Sequence, residues 1–296
     1  MSEIKTPAEA ARELLYKKKT VYERRDEAAI EAAYDYAVGY AKYLDDAKTE
    51  REAVWASIKL AEAEGFVPYA FGDEIAVGGK YYYNNRGKTL FLFSVGEEAL
   101  TEGIRISAAH IDSPRLDLKQ HPLFENDGFA YLKTHYYGGI RKYQWPTVPL
   151  SMHGVIVRKD GTEIDINIGE KEGEPQFIIT DLLPHLGREQ SERKLGQGIK
   201  GEELNVVVGS LPFKADSGSE LVKLNILKML NDKYGIVEED FLTAELEMVP
   251  AMKVTDIGFD RSLIGGYGHD DRVCAYPELM AILELEEAPE HTAVAV

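Results

Sequence analysis

The period of the apolar residues changes near Gly78, and this change limits the chain to a mixed α/β fold. Before Gly65 the spacing is helical; beyond Gly78 it alternates as in strands. Two Thr-x-x-Glu stretches, Thr6-Pro7-Ala8-Glu9 and Thr49-Glu50-Arg51-Glu52, have the form of capping boxes, with Pro7 at a first helical position and Gly65 as a stop. Between them, Asp26 to Leu44 carries Ala and Tyr at helical spacing. Lys80 to Tyr83 and Thr89 to Val95 flank the turn Asn84-Asn85-Arg86-Gly87 and read as a hairpin, and Ile104 to Ala109 is a strand that runs into His110. Further strands are expected at Phe129 to Tyr137, His153 to Arg158, Glu163 to Ile168, Gln176 to Thr180, Leu204 to Val208 and Leu242 to Val249. A helix is expected over Ser219 to Tyr234, with Leu221, Leu224, Leu227 and Leu230 as its stripe, and another after Arg272. Gly187 to Glu203, with four glycines and eight charged residues, reads as a mobile loop, and Thr292 to Val296 as a buried strand.

Length and charge narrow the function classes. The 296 residues are two domains' worth, enough to bury roughly three quarters of the unfolded surface without staples. With 51 acidic against 34 basic side chains and a net charge of −17, the chain is a poor partner for nucleic acid or an anionic membrane. The single cysteine, Cys274, excludes an internal disulfide and a multi-thiolate zinc site. No leader-type apolar core opens the sequence and no run approaches the ~20 residues of a membrane span, so a cytoplasmic protein is expected.

Two short stretches carry chemistry. In AAHIDSPRLDLK, His110 and Asp112 lie two apart at a strand end and so project to the same side. Imidazole is a favoured zinc ligand and a nearby carboxylate is its usual orienting partner; the plainer alternative is a pair bonded to backbone at a strand-to-loop junction. In Gly268-His269-Asp270-Asp271-Arg272, two successive carboxylates precede a helix and need a compensating cation or Arg272. They either cap the helix or bridge two metal ions about 3.5–4 Å apart. Other catalytic patterns are absent: Ser113 precedes a proline rather than occupying a nucleophile elbow, and the glycine clusters at 138–139 and 265–268 match no phosphate loop. The 157 residues between Asp112 and Asp270 are too many for a connection within one sheet, so a β-rich lobe is expected there.

Together, AAHIDSPRLDLK and GYGHDDRVCAY resemble the aspartyl aminopeptidase family of co-catalytic zinc exopeptidases, whose first motif is a His-x-Asp-Ser-Pro stretch; Asp-Asp-Arg-Val is also similar to the related glutamyl and tetrahedral aminopeptidases. The resemblance implies a zinc-exopeptidase-type mixed sheet flanked by helices, formed by residues 1–115 and 250–296, with a β-rich dimerisation lobe at 116–249. It implies two zinc ions per complete site, with His110 a ligand, Asp112 in support, Asp270 bridging both ions, and a cis peptide after Asp270. His185, in DLLPHLGR, fits a histidine that reaches a neighbouring subunit's active site. Peptides are the implied substrates, and the implied assembly is dimers building a larger homo-oligomeric shell. Trp145, Tyr136, Tyr137 and Tyr143 are then interface anchors or the lobe's own core. The family's Glu-Glu pair, general base and ligand, follows the strand equivalent to Thr292 to Val296; the substitute offered here, Glu286-Glu287, precedes that strand. Weak or absent zinc binding is therefore expected of these 296 residues, and the alternative is a truncated or non-catalytic, self-associating homologue.

Overall fold

Both Thr-x-x-Glu stretches cap helices in the computed structural model, which describes residues 6–214 and 217–296. Residues 1–5 of the stretch read above for a leader lie outside the described residues. Helix α1 (Pro7–Leu14) starts at the Thr6–Glu9 box, α2 (Glu27–Asp46) at Asp26, whose carboxylate accepts the Ala29 amide, and α3 (Glu50–Ala63) at the Thr49–Glu52 box. Strand β1 (Val67–Pro68) leads into the hairpin of β2 (Lys80–Asn85) and β3 (Thr89–Ser94), followed by β4 (Ile104–Ser107). The middle of the chain supplies β5 (Arg115–Asn126), β6 (Phe129–Tyr137), β7 (Leu150–Val157) and β8 (Glu163–Ile168). After the short helices α4 (Arg188–Ser191) and α5 (Leu195–Gly198) come β9 (Val206–Gly209), α6 (Leu221–Tyr234) and β10 (Ala244–Pro250). The small pair β11 (Thr255–Ile257) and β12 (Leu263–Gly265) precedes α7 (His269–Leu283) and the last strand, β13 (Thr292–Ala295).

The strands form two main sheets. The first has the order β1-β2-β3-β13-β4 and is mixed, because β13 lies antiparallel to β3 and parallel to β4. Its inner face presents Tyr82, Leu90, Leu92 and Ala295 to Tyr43 and Leu44 of α2, Val54 and Ile58 of α3, and Leu279 and Ile282 of α7. On the other face Tyr81, Phe93, Val294 and Ile106 stand in register across four strands, and Ile106 is 61% exposed. The second sheet is antiparallel throughout, with the order β8-β7-β10-β5-β6-β9, and α6 packs on it.

Four local expectations are corrected. Strand β5 is missing from the sequence reading because Gln120-His121-Pro122 interrupts the alternation begun by Leu116 and Leu118; the ladder to β6 shifts register there and resumes at Leu123, with β10 pairing Leu116 and Asp117 on the other side. Gln176 to Thr180 forms only two isolated bridges, Phe177 to Leu150 and Ile178 to Val207, because it spans the gap between two strands. Gly187 to Glu203 contains α4, α5 and a tight turn at Gly201–Glu203, with Ile199 buried in the second core. On α6 the inward residues are Val222, Ile226, Leu227 and Leu230, whereas Leu224 is exposed. A strict spacing of three falls about 60° behind the helix at every step, so it cannot track one face.

A buried polar cluster joins the helices of the first sheet to the second. His153 of β7 lies 2.7 Å from Glu52 of α3 and 3.1 Å from Glu170, and Lys48 pairs with Glu170 at 2.9 Å. Burial opposes a charge on His153, but hydrogen bonds and attraction from Glu170 and Glu52 outweigh it, so its pKa is pushed up to about 9. Glu170 shows the reverse: despite burial, hydrogen bonds from His153, Ser151, Lys253 and Lys48 hold it far below the usual carboxylate range. A raised histidine pKa stabilises the fold fully below the ordinary value of 6.5 and ceases to do so as the pH passes about 9. Equilibrium denaturation should therefore show stability falling between those limits, by on the order of 3 kcal/mol. In His153→Gln that decline should flatten.

Candidate metal centre

Strand β13 zips the end of β4 in place. Val296 donates its amide to the Ser107 carbonyl and accepts the Ala109 amide, both at 3.1 Å, so the chain leaves the sheet at His110 in a defined direction. Ile111 turns inward onto the first core, and His110 and Asp112 project the other way. The His110 Nδ1 faces the Asp112 carbonyl at 3.0 Å and Asp112 Oδ1 at 3.3 Å. Two acceptors on that side, one of them the nearest at 3.0 Å, favour the imidazole proton on Nδ1, the tautomer in which the Nε2 lone pair faces Asp270 Oδ1, 3.3 Å away. Asp271 Oδ2 is 4.0 Å from the same nitrogen.

Two hydrogen bonds and one buried cation bring these distant stretches together. The Ser113 hydroxyl donates to the Asp270 carbonyl at 2.8 Å, and the Tyr267 hydroxyl to the Pro114 carbonyl at 2.9 Å. Arg272 is fully buried and donates to the carbonyls of Ile111 at 3.0 Å and Lys48 at 3.1 Å. It therefore points away from the two aspartates, and the expectation that it compensates them is corrected: it ties backbone to backbone beneath the site. Gly268 leaves room for it, since φ is +92° there and an added Cβ would lie 2.0 Å from Arg272 Nη1.

Helix capping is not what the carboxylates do. The α7 N-terminus has no side-chain cap; Asp270 and Asp271 are non-helical, and the peptide between them is cis. The Asp270 side chain is 89% exposed and turned toward His110. Partial burial lowers the His110 pKa, but the Asp112 carbonyl and the carboxylates of Asp112, Asp271 and Asp270 raise it more. For Asp112, burial is outweighed by the Tyr137 hydroxyl and His110, so its carboxyl titrates below the usual range.

The donor pair suits zinc in kind and in spacing. Two ligands about 2.0 Å from one tetrahedral ion lie roughly 3.3 Å apart, matching the 3.3 Å between His110 Nε2 and Asp270 Oδ1. Both atoms are electron-pair donors, and at this separation they require a proton or a cation between them. Among the described residues no three His, Cys, Asp or Glu side chains converge as a metal-holding group. A cavity of about 220 Å³ adjoins His110, lined by Ser57, Lys88, Leu92, Glu278 and Val296 among others.

The remaining candidates lie elsewhere. His185 is exposed in the turn before α4 and makes no hydrogen bond with His110, Asp112 or Asp270, and Glu286 and Glu287 are exposed beyond α7. Trp145 belongs to the second core, whereas Tyr136, Tyr137 and Tyr143 are partly exposed. Sequence reasoning missed the structural parts of the site: Ser113, Tyr267, Tyr137 as partner of Asp112, and the inward course of Arg272. Ser113, Tyr267 and Arg272 lie inside the two quoted motifs, which was the one hint at them; Tyr137 lies outside both.

Comparison with known proteins supplies an independent reading. Residues 43–296 match the family model Peptidase_M18, described as aminopeptidase I zinc metalloprotease. Over 280 residues the chain is 48% identical to a probable M18 family aminopeptidase 1 of Clostridium acetobutylicum, covering 93% of this chain and 60% of that one. The crystal structure of an M18 aminopeptidase from Thermotoga maritima superposes with a TM-score of 0.87 at 43% identity, over 95% of this chain and 60% of that one. A structure described as the S. cerevisiae mApe1 dodecamer is alike in fold, with a TM-score of 0.67 at 16% identity, over 89% of this chain and 60% of that one. The chain spans about 60% of the length of the curated relative from Clostridium.

The clamp between the two motifs is testable on folded protein. Ser113→Ala should cost about 1 kcal/mol in chemical denaturation, the net worth of one hydrogen bond. Gly268→Ala should cost more, roughly 2–3 kcal/mol, because it sets an added Cβ against Arg272 at a positive φ.

Proposed function

The chain belongs to the M18 family of aminopeptidase I zinc metalloproteases, and from that premise we propose that it carries part of a two-zinc centre that releases N-terminal residues from peptides. The observation that carries this reading is the pair of lone-pair donors, His110 Nε2 and Asp270 Oδ1, 3.3 Å apart at the end of the first sheet. In this reading His110 and Asp270 hold metal and Asp112 supports His110. When bound, zinc supplies Lewis acidity toward a peptide carbonyl and makes a water acidic enough to ionise near neutral pH.

The protein's own residues do the positioning. Asp112 accepts the Nδ1 proton of His110 and so directs the other ring nitrogen outward. Asp270, largely exposed and fixed through its carbonyl by Ser113, keeps a second carboxylate oxygen free for a second ion. Beside them, the cavity at His110 is the natural entry for a peptide end.

We assign the catalytic part to residues 1–115 and 250–296, and a dimerisation lobe to 116–249, with dimers assembling into a larger shell. The dodecameric neighbour in fold supports this assembly. So do Leu182, Leu183 and Leu186, which stand 56–70% exposed around His185, as a subunit contact that carries this histidine to a neighbouring site would require. A cytoplasmic location rests on the lone cysteine; among the described residues no helix is long and apolar enough to cross a membrane. The second reading, a folded, self-associating chain without turnover, is favoured because among the described residues no three such side chains converge, where hydrolytic zinc takes three.

Zinc titration against a chromophoric chelator, together with release of amino acids from dipeptides, separates the readings. His110→Ala should weaken zinc binding by about 100-fold or more and leave zinc-free thermal stability nearly unchanged. Zinc-dependent turnover by the purified chain would eliminate the non-catalytic reading, and equal zinc affinity in parent and His110→Ala would eliminate the metal centre.

A further inference from the structure

Besides its carbonyl, which lies 3.0 Å from Nδ1 of His110, Asp112 has two carboxylate oxygens, and only one of these faces the imidazole. Its Oδ1 is 3.3 Å from Nδ1 of the imidazole, while Oδ2 accepts a 2.7 Å hydrogen bond from the hydroxyl of Tyr137. Tyr137 does not belong to the sheet that carries His110; it is the last residue of β6 in the second sheet. Its ring is covered by the guanidinium of Arg115, 4.2 Å from the ring centre, and the β5–β6 register places Arg115 directly opposite. Arg115 is buried and held by Glu50 at 3.4 Å, Asp117 at 2.8 Å and Glu247 at 3.1 Å, so it forms a fixed backing for the ring.

We propose that Tyr137 is a positioning residue of the metal centre: its hydroxyl pins one oxygen of the Asp112 carboxylate so that the other stays beside Nδ1 of His110 as a second acceptor, next to the Asp112 carbonyl. The inference rests on the zinc-centre reading above and adds a residue from the second sheet to it. The physical reason is rotational. The Asp112 side chain is about one-third exposed, and a carboxylate anchored at one oxygen alone swings about its terminal bond, which has broad wells. Tyr137 supplies the second anchor. The Asp112 carbonyl, 3.0 Å from Nδ1, accepts at the same nitrogen; once the carboxylate oxygen swings away that carbonyl stands alone against Asp270 and Asp271 at Nε2, so the share of the Nδ1–H tautomer, the form that offers a lone pair toward Asp270, falls. The arrangement also makes the ligand geometry depend on how the second sheet sits against the first.

Tyr137→Phe removes the hydroxyl and keeps the ring under Arg115, so the fold is retained. The first readout is nitrogen NMR of the His110 ring in zinc-free protein at about pH 8.5, above the ordinary imidazole range. The parent should show mainly the Nδ1–H tautomer and Tyr137→Phe a smaller share of it. The second is zinc affinity by chelator competition, expected to fall about tenfold in Tyr137→Phe. Asp112→Asn should lose a similar factor, and the double variant should lose no more than the larger single loss. An unchanged tautomer in Tyr137→Phe, or a zinc affinity within twofold of the parent, would overturn the proposal. If the parent binds zinc no better than His110→Ala, the zinc-centre reading fails instead, and the tautomer measurement still decides whether Tyr137 orients His110.

Discussion

A fully buried arginine holds the candidate site together. Arg272 spans the carbonyls of Lys48 and Ile111, which belong to the α2–α3 junction and to the chain leaving β4. Burying a guanidinium is costly unless its donors are satisfied, and here Nε and Nη1 have no partner among the described atoms. Burial lowers its pKa, with Tyr267, Tyr43, Glu52 and Glu50 acting in the other direction. What the cation contributes is therefore position rather than stability: it fixes three chain segments around one planar group. The contact between His110 and Asp270 follows from this, with Ser113 and Tyr267 closing the remaining freedom.

The same logic recurs where the two sheets meet. Lys48, Glu52, His153 and Glu170 form one buried network, and Arg115 with Glu50, Asp117 and Glu247 forms another. Around Arg115 three carboxylates share one cation, and the Glu247 pKa is raised by burial and by Glu50, which outweigh the attraction of Arg115. Glu247 Oε2 and Arg115 Nη1 are in ion-pair range of neighbours but outside hydrogen-bond geometry. An apolar junction would tolerate sliding, whereas charged groups with fixed partners accept one arrangement. That constraint matters because Tyr137 reaches Asp112 across the junction.

Local signals were read correctly where the physics is local. The capping boxes at Thr6 and Thr49 and the hairpin at Asn84–Gly87 involve residues within a few positions of one another. Strand β5 was illegible because Gln120-His121-Pro122 interrupts its alternation where the ladder to β6 shifts register, and the inward stripe of α6 was misread from leucine content alone. The motif residues His110, Asp112 and Asp270 were legible through their chemistry, but their supports were not. Tyr137, in particular, looked like an interface or core aromatic because nothing adjacent to it names its partner, 25 residues away.

Thus the mixed α/β class, the capped helices, the β2–β3 hairpin and the two stretches bearing ligand-type side chains follow from the sequence by itself, since period, caps and residue chemistry act over short range. Only the tertiary structure decided that β13 lies between β3 and β4, that Arg272 turns inward, and that Nε2 of His110 faces Asp270 across 157 intervening residues. These are outcomes of packing between distant segments. A hydrogen-bond donor becomes a clamp, and a pair of donors a metal site, only when the fold brings their partners within about 3 Å.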